Sequence, residues 1–443
     1  MRRLRALPLF LTALIVLGQA ALVLGSSALA AAPAFASPTQ LGPTVVVVVL
    51  DGCPANSLDL LASEAFLSAV RREGESGNSC PDGSMATVVR TVFPSSTAAG
   101  HAAIFTGRYP EENGVTGKEY LRADGSLGRF SSPGVLQRPT LFEAAREAGY
   151  GTAMMSAKKN VRLMLSGAAD VSVGAEEAPD WILDAVGSPP DESGQYDDYA
   201  GWYVKLDLWV LDTVQAYLKK DYAPALIGVN LGSPDKCGHR YGPAPAEETA
   251  AAIAAMGRGL EALAATLEAT RAGNWCMIVT ADHGMTKVDK GITVLDIIDE
   301  VAESTGSEIT ATLDGGVLYV WAEGEAAGEL AHALASTEGV AEVIGQGSPE
   351  DQARRAELCT RHPRTPPLIA VVRPGYMFIE SPLFMDYTRG SHGTADLDSD
   401  VLVPLIVYGP QARSGKAQQL LGAAHSVTDI CGIVMDLLNS PSN

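Results

Sequence analysis

An α/β fold with a central, mostly parallel sheet flanked by helices is predicted by three features of the sequence. Val45-Val46-Val47-Val48-Val49-Leu50 is an unbroken aliphatic run, mostly β-branched, which reads as a strand buried on both faces. Ile278-Val279-Thr280-Ala281 belongs to a second such run, Met277 to Ala281. Between them lie stretches of helical spacing, Trp202 to Lys220 and the alanine-rich Pro245 to Ala272, the alternation expected of βα units. Both apolar runs end in polar residues, Asp51-Gly52 and Asp282-His283-Gly284, and open α/β sheets bind ligands outside the carboxyl ends of their strands.

The N-terminus sets the compartment. Met1-Arg2-Arg3-Leu4-Arg5 is basic, Leu7 to Gly25 is almost wholly apolar, and Ala34-Phe35-Ala36 offers a small-x-small cleavage site. Residues 1–36 therefore read as a secretory signal peptide, with an uncleaved membrane anchor as the alternative. Cleavage would remove three arginines and take the formal charge from −20 to −23. So acidic a protein is poorly suited to tracking nucleic acid or to anionic membranes, although a small phosphorylated substrate held by metal and local cations remains compatible. Export to the periplasm, cell surface or medium is expected.

At 443 residues the chain exceeds a typical single domain, so one core with an elaboration is expected. A content of 47% hydrophobic and 19% charged residues supports a substantial core and excludes disorder as the main state. Six cysteines without a CxxC, Cys53, Cys80, Cys237, Cys276, Cys359 and Cys431, allow packed thiols or disulfides and argue against cysteine ligation.

In chain order, the first strand delivers Asp51. The segment Thr97-Ala98-Ala99-Gly100-His101 then runs into Ala102 to Thr106 and a stop at Gly107, placing Thr97 at or near a helix N-terminus. Thr97 is either a cap or a hydroxyl activated beside a cation, where the helix start also favours an incoming phosphate. Thr140 with Glu143 has the capping-box spacing. After the strand Thr152 to Ser156 come Lys158, Lys159 and Arg162, either a solvated turn or cations for a substrate anion. The strand ending at Leu231 is followed by Gly232-Ser233-Pro234-Asp235-Lys236-Cys237-Gly238-His239. Pro234 and Gly238 predict a loop folding Asp235 and His239 towards one point.

From Gly291 to about Pro382 the pattern changes to short strands, such as Gly316 to Trp321, and proline-rich turns. It reads as an inserted α+β subdomain over 291–382 that roofs the site, within a catalytic core of 44–290 and 383–443. The core resumes at His392-Gly393 and the strand Val403 to Tyr408.

Collected, Asp51, Asp235, His239, Asp282, His283 and His392 supply three carboxylates and three imidazoles. That is enough for two metals, zinc first among several divalent candidates, and two metals about 4 Å apart suit phosphoryl transfer. The strand into Asp51-Gly52, Phe93-Pro94-Ser95-Ser96-Thr97 through His101, Asp235 to His239 with Tyr241-Gly242-Pro243, Asp282-His283-Gly284 and His392-Gly393 stand in the order of the alkaline phosphatase superfamily. Within it they resemble the type I phosphodiesterase/nucleotide pyrophosphatase group.

The resemblance implies a phosphohydrolase with two zinc ions. Asp235, His239 and His392 would hold one, and Asp51, Asp282 and His283 the other, completed by Thr97 as nucleophile of a phosphothreonine intermediate. Where diesterase members carry a phosphate-binding asparagine, this chain has Lys118, which would favour a more highly charged group. Lys158 to Arg162 is similar to the lysine-bearing segment of phosphonoacetate hydrolase, making C–P cleavage an alternative and Lys118, Lys158 and Arg162 candidate substrate-binding residues. An inactive metal-binding protein is the rival from another class.

Overall fold

The computed structural model describes residues 42–61, 85–165, 167–220, 223–413 and 415–440; the expected signal peptide and Cys80 lie outside them. Its strands are β1 (Thr44–Leu50), β2 (Met85–Arg90), β3 (Glu119–Leu121), β4 (Leu127–Arg129), β5 (Thr152–Ser156), β6 (Val171–Gly174), β7 (Leu226–Leu231) and β8 (Trp275–Thr280). They continue as β9 (Thr286–Thr293), β10 (Thr310–Asp314), β11 (Val317–Trp321), β12 (Val340–Ile344), β13 (Leu368–Val372), β14 (Gly375–Ile379), β15 (Gly390–Ser391) and β16 (Leu402–Tyr408).

A seven-stranded sheet in the order β2-β16-β8-β1-β7-β5-β6 forms the centre. β1 lies parallel between β7 and β8, and β5 is parallel to both β7 and β6. Only β16 runs against its neighbours, β8 and β2. The all-aliphatic sequence of β1 is explained by its place: every residue from Val45 to Leu50 is fully buried, each contributing about 1.5–3 kcal/mol of apolar transfer energy. Helices cover the sheet in two groups. Tyr199–Leu218 packs on Glu247–Arg271, and Thr97–Thr106 packs on Asp429–Leu438 and Leu141–Glu147. The last of these begins with the expected Thr140/Glu143 capping box.

A separate antiparallel sheet has the order β10-β11-β13-β12. Its side chains alternate as strand geometry requires. Leu318, Val320, Leu368 and Ala370 join a core with the helices Leu295–Thr305 and Gly324–Ala335, whereas Val317, Tyr319, Ile369 and Val371 pack with Phe93 and Ala395. A third sheet, β14-β9-β15, links the two regions. β9 begins just after Asp282-His283-Gly284, and β15 pairs with its first residues through Ser391↔Thr286, so that His392 returns beside His283.

One local expectation is corrected. Asp235 to His239 forms no loop but lies within the helix Ser233–Tyr241. Pro234 stands in its first turn, where the missing N–H costs nothing, and Gly238 packs closely on Met285, whose side chain would lie 2.9 Å from an added Cβ. The five described cysteines are all free thiols, four of them pushed up to about 11 or 12 by burial.

Candidate functional site

At the carboxyl end of the central strands the structure gathers Asp51 after β1, Thr97 at the first turn of its helix, Lys158 after β5, Asp235 and His239 after β7, Asp282 and His283 after β8, and His392 after β15. The helical conformation of 233–241 serves the convergence: an i, i+4 pair shares one face, and His239 Nε2 lies 3.1 Å from Asp235 Oδ1. Gly100 lets the Thr97 helix approach the end of β8. A Cβ at position 100 would meet the Asp282 carbonyl oxygen at 2.3 Å and the Asp282 Cβ at 2.8 Å.

Three imidazoles are held the same way. His239 Nδ1 bonds the Gly390 carbonyl at 2.9 Å, His392 Nδ1 the Ser95 carbonyl at 2.9 Å, and His283 Nδ1 the Gly284 carbonyl at 2.8 Å. With Nδ1 directed at these backbone acceptors, each Nε2 is turned toward the cluster, the usual arrangement behind metal-binding histidines. His283 and His392 stack with centroids 3.7 Å apart.

The carboxylates are buried and incompletely satisfied. Asp282 Oδ1 accepts from the Gly52 and His283 amides, whereas Asp282 Oδ2 and Asp235 Oδ1 accept no hydrogen bond and face imidazole nitrogens, His101 Nδ1 at 3.0 Å and His239 Nε2 at 3.1 Å. Buried carboxylate oxygens that accept no hydrogen bond and face imidazole nitrogens favour a cation between them. This donor set of oxygen and nitrogen fits zinc or a similar dication. Asp235, His239 and His392 form one group whose ligand atoms all lie within 4.8 Å; Asp51, Asp235 and His283 form another, and Asp51, His101 and Asp282 a third. The first group matches the trio implied by resemblance. The second implied trio is split: His283 Nε2 lies 3.5 Å from both Asp51 Oδ1 and Asp282 Oδ2, but His101 stands in the grouping with Asp282.

Thr97 Oγ1 sits 3.4 Å from Asp51 Oδ1, 3.3 Å from His283 Nε2 and 3.5 Å from Lys158 Nζ. The Lys158 ammonium bridges Asp51 Oδ1 and Asp235 Oδ2 at 2.6 Å each. Burial alone would raise the Asp51 and Asp235 pKa values, but Lys158 outweighs it and holds both carboxyls well below the usual carboxylate range. For His283, burial opposes protonation, yet Asp282 and Asp51 push it up to about 10. His392 is driven well below its ordinary value, first by burial and then by His283 and His239.

The other two candidate substrate-binding cations are placed differently. Arg162 is corrected: its guanidinium is committed to Glu176 and Glu177 at 2.8 Å each, and is not part of the cluster. An arginine four residues beyond Lys158 falls one helical turn on, inside Lys159–Leu165, where these two acids claim it. Lys118 is exposed and has no ion pair within 4 Å among the described residues.

Two buried residues that organise the site were missed in the sequence. Asn230, fully buried in β7, donates from Nδ2 to Asp51 Oδ2 at 3.1 Å, faces His101 Nε2 at 3.1 Å, and accepts from Ser156 Oγ and the Lys158 amide. An amide interrupting an apolar core strand was the available signal. Asp207, on the buried face of Tyr199–Leu218, accepts from the Gly232 and Ser233 amides at 2.8 and 2.7 Å, holding the start of the Asp235/His239 helix.

Burial pushes Asp207 up to about 6 despite those bonds. Its folded form therefore binds a proton more tightly than the unfolded chain, and its contribution to stability falls as pH rises from about 4 to about 6, by at most about 3 kcal/mol. Asp207→Asn should remove that loss, which urea melts at pH 4, 5, 6 and 7 would reveal as a flatter pH dependence than the wild type. Asp207→Ala should cost about 1–2 kcal/mol at pH 7 by uncapping the helix.

Comparison with known proteins adds the following. The family model for type I phosphodiesterase/nucleotide pyrophosphatase matches residues 45–395. Human ectonucleotide pyrophosphatase/phosphodiesterase family member 7 is 25% identical over 236 residues, covering 51% of this chain and 48% of the relative. The mouse protein of the same name is 24% identical over 233 residues, 51% of this chain and 50% of the relative, so the match spans about half the length of these curated relatives. Among solved structures, phosphonoacetate hydrolase from Sinorhizobium meliloti 1021, in complex with phosphonoformate, superposes with a TM-score of 0.65 at 20% identity, covering 89% of this chain and 96% of that one. Murine ectonucleotide pyrophosphatase/phosphodiesterase 5, in complex with AMP, gives 0.63 at 18% identity, with 90% and 97% coverage. These structural likenesses establish a shared α/β fold.

Proposed function

This chain belongs to the type I phosphodiesterase/nucleotide pyrophosphatase family, and from that premise we propose that it is an exported two-zinc hydrolase of phosphodiester, pyrophosphate or phosphomonoester bonds, working through a phosphothreonine at Thr97. The observation that carries the reading is the pair of orphaned oxygens, Asp235 Oδ1 and Asp282 Oδ2, facing oriented imidazole nitrogens beside a threonine hydroxyl. Asp235, His239 and His392 would hold one zinc, and Asp51, Asp282 and His283, with Thr97, the other. We retain residues 291–382 as an inserted cap over a core of 44–290 and 383–443, and residues 1–36 as the export signal.

Bound zinc would supply Lewis acidity, lowering the pKa of a coordinated hydroxyl and stabilising a departing oxygen. The chain's own residues provide the rest. Asp51 accepts a hydrogen bond from the Thr97 hydroxyl, and Asn230 fixes the carboxylate that receives it. The amides in the first turn of the Thr97 helix lack intrahelical partners and can receive phosphoryl oxygens. Thr97 Oγ1 releases its proton to water and attacks phosphorus, and the bond to the leaving oxygen breaks with its electron pair going to that oxygen, which takes up a proton from water. Water then attacks the same phosphorus and the Thr97 Oγ1–P bond breaks, returning the hydroxyl. Lys158, at 3.5 Å from Thr97 Oγ1, offers a cation to the transferred group.

The test is turnover of p-nitrophenyl phosphate, bis-p-nitrophenyl phosphate, a nucleoside triphosphate and phosphonoacetate by zinc-loaded protein, with metal content measured in parallel. Ester or anhydride hydrolysis is the expected result, and failure on all four would favour the inactive metal-binding alternative. Phosphonoacetate turnover alone would favour C–P cleavage. If the exposed cation at position 118 sets charge preference, Lys118→Asn should lower the monoester/diester ratio of kcat/KM several-fold; an unchanged ratio would remove Lys118 from the substrate site.

A further inference from the structure

The side chains around the cluster are not equally closed to solvent. Those of Asp51, Asp282 and His283 are wholly buried and that of His392 is 9% exposed, whereas those of His239 and Lys236 are 33% and 34% exposed. Thr97 and Lys158 are also half-buried, so solvent reaches the cluster past Thr97, Lys158, Lys236 and His239. Lys236 is no metal ligand, because an ammonium has no lone pair to offer, yet it stands in this opening.

Contacts of 3.5, 2.6 and 4.0 Å lead from Thr97 Oγ1 through Lys158 Nζ and Asp235 Oδ2 to Lys236 Nζ. The carboxylate oxygen that Lys236 approaches is thus the one Lys158 already holds. Gly232 sets the two lysines side by side: a Cβ there would lie 3.4 Å from Lys158 Cγ, so the Lys158 stem runs along the start of the helix Ser233–Tyr241 that carries Lys236. Tyr203 flanks Lys236, with its ring centroid 5.9 Å from Nζ. The ring is braced by Tyr199 and Trp202 at centroid distances of 5.0 and 4.9 Å, and its hydroxyl accepts from Gln195 Nε2 at 2.6 Å. Two ammoniums drawn to one carboxylate oxygen repel each other, in a chain whose formal charge is −20. An anion lying across both would relieve that repulsion.

Resting on the hydrolase reading above, we infer that Lys236, together with Lys158, forms a subsite for a second anionic group of the substrate, a phosphate or carboxylate linked to the reacting phosphoryl group. Lys236 is then a specificity-determining residue that favours such substrates over esters whose second substituent is neutral. Bonds from an ammonium to an anionic oxygen belong to the strong, charge-assisted class, and a neutral substituent forfeits them while leaving the two cations uncompensated.

Propylphosphonate, 3-phosphonopropionate and propane-1,3-diphosphonate test this. Each carries a phosphonate on a three-carbon chain, ending in a methyl, a carboxylate or a second phosphonate, with no ester bond to hydrolyse. Binding to zinc-loaded protein is measured by calorimetry, with zinc content checked after each titration. At least one of the two ligands with a second anion should bind the wild type tenfold or more tightly than propylphosphonate, and the larger gain identifies the anion the subsite takes. Lys236→Met should bring that gain within threefold while leaving propylphosphonate affinity and zinc content unchanged, and Lys236→Arg should retain it. Lys236→Gln serves where the methionine variant does not fold. No gain in the wild type, a gain that survives in a folded variant, or an equal loss for propylphosphonate would overturn the role of Lys236. Absence of turnover on every ester defeats the hydrolase reading, whereas the calorimetric ratios still decide whether Lys236 sorts ligands by charge.

Discussion

Thr97→Ala is expected to reduce turnover of any accepted ester by at least about 10⁴-fold while zinc content stays near two per chain. The asymmetry follows from the geometry. Thr97 lies within 3.5 Å of Asp51, His283 and Lys158, but six other side chains supply the charges and lone pairs that would retain the metals. Its loss therefore removes the attacking oxygen and leaves the ligands in place. Acid-quenched wild-type enzyme should carry phosphate on the peptide containing Thr97, and the alanine variant none. Metal analysis separates the two ways the experiment can go against the proposal: retained activity moves the nucleophile elsewhere, and lost zinc makes Thr97 chiefly a ligand.

Gly100→Ala should be a damaging methyl-sized change, because it falls between the helix of Thr97 and the ligand Asp282. The added carbon would stand 2.3 Å from the carbonyl oxygen of Asp282, with the helix of Thr97 on one side and the end of β8 on the other, so neither neighbour is a flexible side chain that can rotate away. Overpacking of this kind costs about 1–3 kcal/mol. The larger effect falls on catalysis, because the strain separates Thr97 from Asp282 and His283, and a displacement of about 1 Å at a reacting group costs about 10²-fold in rate. Gly432→Ala is the control: it lies in the helix Asp429–Leu438 with nothing within 4 Å of the added Cβ, and should stabilise the protein by about 0.5–1 kcal/mol without changing kcat/KM. Urea melts and kinetics on the two variants check both expectations, and equal behaviour would show that the approach of helix to strand is not tight.

The residues that could be named from the sequence are those at the ends of strongly patterned elements. Asp51 and Asp282-His283 follow runs so uniformly aliphatic that their burial in a parallel sheet left little choice, and the strand ends converge because parallel strands share a direction. Asp235 and His239 could be paired by spacing, yet their backbone was misread, since Pro234 and Gly238 carry turn propensity that a helix tolerates at those two places. Asn230 and Asp207 were missed because each sits inside an apolar pattern whose periodicity hides a single polar member. Arg162 shows the opposite error: a cation near the right strand end was credited to the site although its partners, Glu176 and Glu177, only become neighbours once Lys159–Leu165 is folded.

The convergence of Asp51 and His392 on one centre has a topological consequence. These residues lie roughly 340 positions apart in neighbouring groups that share Asp235, so metals held at the two groups would together act as a clasp across most of the described chain. Such a clasp exists only when every intervening segment has reached its place, which makes metal retention a single-valued reporter of complete folding and metal removal a lever on global stability.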